Sequence, residues 1–200
     1  MNSSLREVDL FDSVTTIGAR AFAGCAQLEE LTLPDSLTTI GEGALDGLTG
    51  LKKLVIKCDP ALIPAGVFAN MPNLSEVTIE SGAVPAHMFE GSGVKALTLG
   101  ASVTEIGESA FADTLLSAAD LKHVTAIGAG AFANTAMTSV ELPQAAAIGE
   151  GAFEGSALES VRLSAAASVG ERAFANTKLK QLVIPTAGSF PLSAVEGTSA

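Results

Sequence analysis

Apolar and polar residues follow a period of 21 to 23 residues along this chain, and one short phrase marks each period. The phrase reads Ile-Gly-x-x-Ala-Phe, with Val for Ile in one copy, and its clear copies end at Phe22, Phe111, Phe132, Phe153 and Phe174. Weaker copies end at Leu45, Phe68, Phe89 and Val195. The nine end points are separated by steps of 23, 23, 21, 22, 21, 21, 21 and 21 residues. A constant period of this length predicts a solenoid, in which each repeat forms one turn of a coil.

A second pattern, Leu-x-x-Leu-x-Leu, follows each of the first eight phrases, as in Leu28, Leu31 and Leu33. Its last two apolar positions are two residues apart, which is the alternation of a β-strand. In three copies a proline follows directly, and proline ends a strand because it has no N–H to donate. We therefore expect one short strand per turn, and stacked turns that form a parallel sheet along one side of the coil.

The Ile-Gly-x-x-Ala-Phe phrase is expected to form the opposite side of the coil. Its Ile and Phe fill the interior, its Gly (Pro in three copies) allows a sharp change of direction, and its Ala, directly before Phe, lies where a neighbouring turn passes closely. One helical turn around Ala-Phe is too short to be stable alone. Since no single repeat can bury its apolar side, stability must come from stacking, with the phenylalanines aligned in one row.

The two patterns together resemble the BspA-like leucine-rich repeats. The match is close over residues 103–111 and 28–41, and it extends from Leu5 to Val195. The family often has Cys three residues after the Phe, and here only Cys25 stands at that place. The resemblance implies an α/β-type leucine-rich-repeat solenoid, a right-handed superhelix with a parallel β-sheet on one face and loops or short helical turns on the other.

The repeat runs nearly from end to end, so we expect residues 1–200 to form a single domain of about nine repeats. The chain begins and ends in mid-repeat, which suggests a fragment of a longer array. The first six residues lack the basic start and apolar run of a signal peptide, and no segment is apolar enough to span a membrane. The family resemblance nevertheless implies an extracellular or cell-surface protein.

The net charge of −11 and the pI of about 4.5 argue against nucleic acid or an acidic membrane as a partner. Tyr and Trp are absent, which weakens any case for stacking on nucleic-acid bases or sugars. We expect a non-enzymatic module for protein–protein interaction. The resemblance implies adhesion to host matrix proteins such as fibronectin and fibrinogen, or to other microbes. The alternative is a structural spacer or scaffold in a larger surface protein, with no ligand of its own.

Outward-facing strand positions form two columns, in which the residues of neighbouring turns lie side by side. Column one reads Glu7, Glu30, Lys53, Glu76, Ala96, Ala118, Ser139, Ser160 and Gln181. Column two reads Asp9, Thr32, Val55, Thr78, Thr98, Asp120, Glu141, Arg162 and Val183. The candidate protein-binding residues within these columns are Glu30, Thr32, Lys53, Val55, Glu76, Thr78, Thr98, Asp120, Glu141 and Arg162. The charged row from Glu30 to Glu76 is either part of that face or only a solvated row of weak ion pairs.

No catalytic, cofactor or metal site is expected from the residues. His87 and His123 are the only histidines, and neither has a carboxylate or thiol at ligand spacing in the sequence. Cys25 and Cys58 occupy different phases of neighbouring repeats, so we expect no disulfide between them. The first and last strands of the stack would expose unpaired edges, which suggests edge-to-edge self-association unless those edges result from truncation.

Overall fold

The computed structural model describes residues 4–164, 168–185 and 189–198, and within them every sheet is parallel. We number the turns of the coil one to nine by the phrase that each contains. The thirteen strands of the described residues are β1 (Thr16–Ile17), β2 (Glu30–Leu33), β3 (Thr39–Ile40), β4 (Lys53–Ile56), β5 (Glu76–Ile79), β6 (Ala96–Leu99), β7 (Glu105–Ile106), β8 (Ala126–Ile127), β9 (Ser139–Leu142), β10 (Ala147–Ile148), β11 (Ser160–Leu163), β12 (Ser168–Val169) and β13 (Gln181–Val183).

The longer strands form the predicted sheet, here called the strand face on its outward side. They pair in two groups, β2-β4-β5-β6 and β9-β11-β13, with equivalent residues of successive repeats side by side. In β2, β4 and β5 the outward residues are exposed or half-buried and the inward ones buried, as the sequence alternation predicts. The repeat solenoid is thereby confirmed.

The two-residue strands form a second set of ladders at the Ile of each phrase, here called the lateral ladder. The group β7-β8-β10-β12 is continuous, and Val84 and Ser189 extend it by single bridges. Each rung includes a hydrogen bond from the Gly N–H of one turn to the Ile carbonyl of the turn before, for example Gly128 N to Ile106 O at 2.8 Å.

Proline explains where the lateral ladder stops. Pro64 replaces Gly in turn three and has no N–H for the rung back to turn two. Instead, Pro60–Leu62 forms a 3-10 helix there, and β3 pairs only with β1. Pro85 likewise has no N–H for the rung from turn four back to turn three, so the lateral ladder is interrupted on both sides of turn three, where the strand face is continuous through β4 and β5.

Six phenylalanine rings form a continuous stack inside the coil, as predicted. Phe68, Phe89, Phe111, Phe132, Phe153 and Phe174 are each fully buried. Successive ring centroids are 5.2 to 5.9 Å apart and successive planes differ by 7 to 12°. These distances lie in the range of favourable offset stacking. Leu45 continues the row in turn two, where it is also buried.

The side opposite the strand face consists of tight loops rather than α-helix. The helices of the described residues are two 3-10 segments, Pro60–Leu62 and Leu192–Val195, and neither is long enough to cross a membrane. The predicted helical turn at Ala-Phe does not form in the other turns, because positions two before and two after the Phe adopt positive φ, for example Gly130 and Asn134 around Phe132. In most turns the N–H groups at these positions donate to carbonyls of the next turn, as Gly130 N does to Glu150 O and Asn134 N to Glu154 O.

Buried hydroxyl groups form a column that the sequence reading missed. Three residues after the Phe, turns four to eight have Ser92, Thr114, Thr135, Ser156 and Thr177. Each hydroxyl donates to the carbonyl of the Phe in its own turn, at 2.6 to 2.9 Å. These turns are one residue shorter at this loop than turns one to three, which have Cys, Leu or Met there. In the longer loops a backbone N–H closes the turn, as Leu28 N does on Cys25 O at 3.0 Å.

The sheet on the strand face is interrupted at turn five, where the sequence predicted a strand. Residues 118–121 form no strand, and among the described residues no backbone hydrogen bond joins them to β6 or β9. We call this interruption the strand gap. Residues 5–10, which the alternation also placed in strand phase, form no strand either. The prediction of a strand was therefore wrong for these two segments.

Candidate protein-binding face

The strand face positions nine of the ten candidate residues as predicted. In β2, β4, β5 and β6, Glu30, Lys53, Glu76 and Ala96 are register partners, as are Thr32, Val55, Thr78 and Thr98. In β9 and β11, Glu141 lies beside Arg162. The alternation of side chains along each strand is sufficient to turn these residues outward.

Asp120 is the exception, because it lies in the strand gap. Its carboxylate accepts the backbone N–H of Lys122 at 3.2 Å and the Lys122 Nζ at 2.6 Å. Both contacts lower the pKa of Asp120, the Nζ contact more strongly. Asp120 is exposed, but it is not held in register with Thr98 and Glu141 by the sheet.

The part of the strand face formed by β2, β4 and β5 is charged. Lys53 Nζ lies 3.8 Å from the Glu30 carboxylate, and both side chains are largely exposed. A third row runs beside column one, in which Lys52 Nζ lies 2.9 Å from Glu29. The hydrogen bond from Lys52 lowers the pKa of Glu29 below its ordinary value. Such exposed pairs contribute little to stability, so their side chains are free to rearrange around a partner.

The part formed by β9, β11 and β13 is nearly neutral in column one. Ser139, Ser160 and Gln181 lie side by side, and Ser160 Oγ donates to Gln181 Oε1 at 3.3 Å. The third row is again charged, with Lys180 Nζ 3.0 Å from Glu159. This third row was not among the predicted outward columns, although it recurs in the sequence with the same period, one position before column one.

A groove with a volume of about 440 Å³ lies at the N-terminal end of the strand face. Its lining residues are Arg6, Glu7, Val8, Glu29 and Glu30. Only one backbone hydrogen bond links residues 5–10 to the following strand segment, from Glu29 N to Arg6 O at 3.4 Å. The groove is present because residues 5–10 do not pair with β2 as a strand of the sheet.

Metal binding or acid–base chemistry would depend first on the two histidines and the two cysteines. His87 Nδ1 lies 2.8 Å from Oε2 of Glu90, three residues later, so the expectation that no carboxylate stands at ligand spacing from a histidine was wrong for His87. No group of three or more potential metal ligands occurs in the described ranges. Cys25 and Cys58 are buried as free thiols, and burial raises the pKa of Cys58.

An ion-pair cluster lies on the side opposite the strand face, and its contribution to the stability of the fold depends on pH. Arg172 donates through Nη2 to Glu154 Oε1 and lies 3.5 Å from Glu196, while Asn176 donates to Glu154 at 3.1 Å. The hydrogen bond from Arg172 lowers the pKa of Glu154. A lowered pKa means that the pair stabilises the fold above the ordinary pKa of Glu, and that this contribution is lost as the pH falls through the lowered value.

We therefore expect Arg172→Gln to raise the pKa of Glu154 toward its ordinary value. A carboxyl-carbon NMR titration measures this directly. Lys180→Gln removes a cation that pairs with Glu159, so it serves as a control that should leave Glu154 unchanged. An unaltered Glu154 titration in Arg172→Gln would contradict the assigned pair.

One known sequence profile matches the repeat of this chain. The sequence profile described as BspA type Leucine rich repeat region (6 copies) matches residues 1–117 and 83–194. Among curated proteins, no sequence matches the chain significantly.

Two crystal structures match this chain, and the one with the higher TM-score is similar in fold. One is a leucine-rich repeat protein from Bacteroides ovatus ATCC 8483, with 20% identity and a TM-score of 0.55. The match covers 92% of this chain and 55% of that protein's chain. The other is a leucine rich cell surface protein from Faecalibacterium prausnitzii A2-165, with 22% identity and a TM-score of 0.44. The match covers 92% of this chain and 68% of that protein's chain.

Proposed function

Because the chain belongs to the BspA-type leucine-rich-repeat family, we propose that it is a non-enzymatic module whose strand face binds a partner protein. The observation that supports this proposal is the strand face itself. Among the described residues, seven parallel strands in two groups present outward side chains that are in register within each group, over a core that is filled by the phenylalanine row. An extended, regular surface of this kind is what repeat proteins use to engage other proteins.

The chemistry of the strand face defines the partner that would fit. The charged part around Lys53 offers alternating carboxylates and an ammonium group, which select a partner of complementary charge. The part around Ser139 and Ser160 has small side chains, which allow the close approach of a flat or extended segment. A net charge of −11 would repel polyanions such as nucleic acid. We propose an extracellular or cell-surface setting, with a matrix protein or a microbial surface protein as the partner.

We further propose that residues 1–200 act as one domain. One continuous cluster of buried side chains runs from Ile17 to Ala194 in the described residues. Each turn covers the apolar side of the next, so no turn can bury its share of this cluster without its neighbours.

A spacer or scaffold is the second candidate function. It is supported by the weak chemistry of column one beyond β5, where Ala96, Ala118, Ser139 and Ser160 are all small. The segment 145–147, three alanines in succession at the start of β10, also offers few groups for contact with a ligand. A spacer needs only the stacked core, and it would tolerate any charge pattern on the strand face.

Charge reversal on the strand face separates the two functions. The variant Lys53→Glu/Arg162→Glu changes one cation in each part of the face, and the control Arg20→Glu/Lys178→Glu makes the same net change outside it. Binding would be measured by surface plasmon resonance against immobilised fibronectin, fibrinogen and microbial surface extracts. We expect the strand-face variant to lose about tenfold or more in affinity, because like charges then meet across the interface.

The control variant should bind as the unmodified chain does. Equal binding by both variants would move the interaction to another surface. Absence of binding by the unmodified chain to every immobilised protein would favour the spacer.

A further inference from the structure

We propose that the strand gap at turn five is a hinge, about which the two parts of the strand face change their mutual angle. The first observation is the missing hydrogen bonds. In the turns on either side, a strand's first N–H donates to the turn before, as Ala96 N does to Ser75 O and Ser160 N to Thr138 O. Neither of the two bonds expected at turn five, from turn five back to turn four and from turn six back to turn five, is formed.

The second observation is the loss of burial beside the gap. The inward side chains of β5, Val77 and Ile79, are 2% and 0% exposed. The equivalent residues of β6, Leu97 and Leu99, are only half-buried, although they are of the same apolar kind. Since both point inward, water reaches the core between β6 and residues 118–121.

The local sequence explains why the strand fails here. Ala118, Ala119 and Asp120 are of types that are depleted in strands. Ala119 also stands where the seven longer strands have Leu or Val, so this turn contributes fewer side-chain contacts to the core. A small side chain leaves its neighbours short of contacts, as the half-buried Leu97 shows.

Asp120 adds a competing interaction. In the two preceding turns, the N–H that follows the strand donates to the previous turn, as Glu80 N does to Ile56 O at 2.9 Å and Gly100 N to Ile79 O at 2.8 Å. At turn five this donor is the N–H of Lys122, and it is held by the Asp120 carboxylate instead. A local side-chain hydrogen bond thus replaces the bond that would join two turns.

The opposite side of the coil is intact at the same turn, which makes it the pivot. Phe111 stacks on Phe89 at 5.2 Å and on Phe132 at 5.5 Å. The lateral ladder also passes through turn five, since β7 pairs with Val84 and with β8. Turns that are joined along one side and unjoined along the other can open and close like a hinge.

The hinge divides the strand face into two units of different chemistry. In column one, the unit β2-β4-β5-β6 includes the charged residues Glu30, Lys53 and Glu76, whereas the unit β9-β11-β13 has only uncharged residues. Opening at turn five changes the angle between these units without breaking either sheet. The face can in this way adapt to surfaces of different shape. The hinge can be tested without any partner, so its result is independent of the proposed binding.

Native-state hydrogen exchange tests the gap directly. In the unmodified chain, the amides of residues 118–121 should exchange at least about tenfold faster than those of Glu76–Ile79, while the Phe111 and Phe132 amides stay protected. Comparable protection of residues 118–121 and Glu76–Ile79 would overturn the proposal without any variant.

A closing variant, Ala119→Val/Asp120→Thr, restores an inward branched side chain and frees the N–H of Lys122. It should slow exchange at residues 118–121 and at Ala96–Leu99 by about tenfold or more. Glu141→Thr makes a similar change in column two of β9, a strand that is already paired with β11, and should leave exchange at turn five unchanged.

Motion at the hinge is measured by distances between spin labels. Labels at Thr32→Cys and Arg162→Cys lie in different units, and labels at Thr32→Cys and Thr78→Cys lie in the same unit; the native thiols are buried. The distance distribution of the first pair should narrow in the closing variant, and that of the second should not change. An equal width of the first distribution in both proteins would show that turn five is not a hinge.

Discussion

Phe132→Ala is expected to lower the free energy of unfolding by about 3–5 kcal/mol, the usual cost of removing a buried aromatic ring. The ring is fully buried and lies between Phe111 and Phe153, with centroids 5.5 and 5.3 Å away. Its loss leaves a cavity and also removes two stacking contacts. Urea denaturation monitored by circular dichroism would measure the change.

The damage from Phe132→Ala should be local at first. Contacts in a solenoid are with the nearest turns, so amide protection should fall in turns five to seven before it falls elsewhere. The control is Phe11→Ala, because Phe11 is 68% exposed and its removal should change stability by less than about 0.5 kcal/mol. Uniform, all-or-none loss of protection along the chain would contradict the nearest-neighbour account.

Gly149→Ala is expected to cost about 1–3 kcal/mol, because it forces atoms together in a packed region. A Cβ at residue 149 would lie 2.5 Å from the nitrogen of Ala129 and 2.6 Å from the carbonyl carbon of Gly128. Both contacts are with the backbone of the previous turn, which cannot move aside as a flexible side chain would. Thermal unfolding followed by calorimetry would detect the loss.

Gly18 provides a matched control for this prediction. The dipeptide Ile17-Gly18 repeats Ile148-Gly149 in sequence, but a Cβ at residue 18 meets no atom within 4 Å. Gly18→Ala should therefore be neutral, or stabilising by up to about 1 kcal/mol through the unfolded chain. If the two substitutions cost the same, the glycine requirement would arise from the backbone conformation and not from close packing.

Periodicity made the coil and its interior predictable. Only one register of stacked turns places every phrase beside its equivalent, so the phenylalanine row follows directly from the spacing. Side-chain alternation then predicts which strand residues face outward, and nine candidate residues lie where it placed them. These inferences succeed because they depend on a pattern that many turns share.

Departures from the repeat were harder to evaluate. Asp120 occupies an ordinary outward position in the alternation, which predicts that it lies on the strand face. Its carboxylate holds Lys122 instead, and the strand is lost. The outcome depends on a balance between a local hydrogen bond, a small inward Ala119 and the pairing energy of two neighbouring strands. Each of these contributions is of the order of 1 kcal/mol, so the pattern alone does not rank them.

The buried hydroxyl column shows a similar limit. Ser or Thr three residues after the Phe appeared as ordinary variation, and the structure shows that it accompanies a loop shorter by one residue. A signal existed in the sequence, since the residue type and the loop length change together after turn three. The role of the hydroxyl could be assigned only from the structure, because only the folded loop shows which carbonyl needs a donor.

By itself, the sequence determined that successive repeats stack as turns of one coil and which side chains lie inside, because burial repeats with the period and a single repeat cannot bury its own apolar side. Only the tertiary structure decided where the ladders are interrupted. Pro64 interrupts the lateral ladder at turn three and Asp120 accompanies the strand gap at turn five, on different sides of the coil. Since each interruption lies opposite an intact ladder, the coil remains joined at every described turn, and that depends on contacts between turns that no single repeat contains.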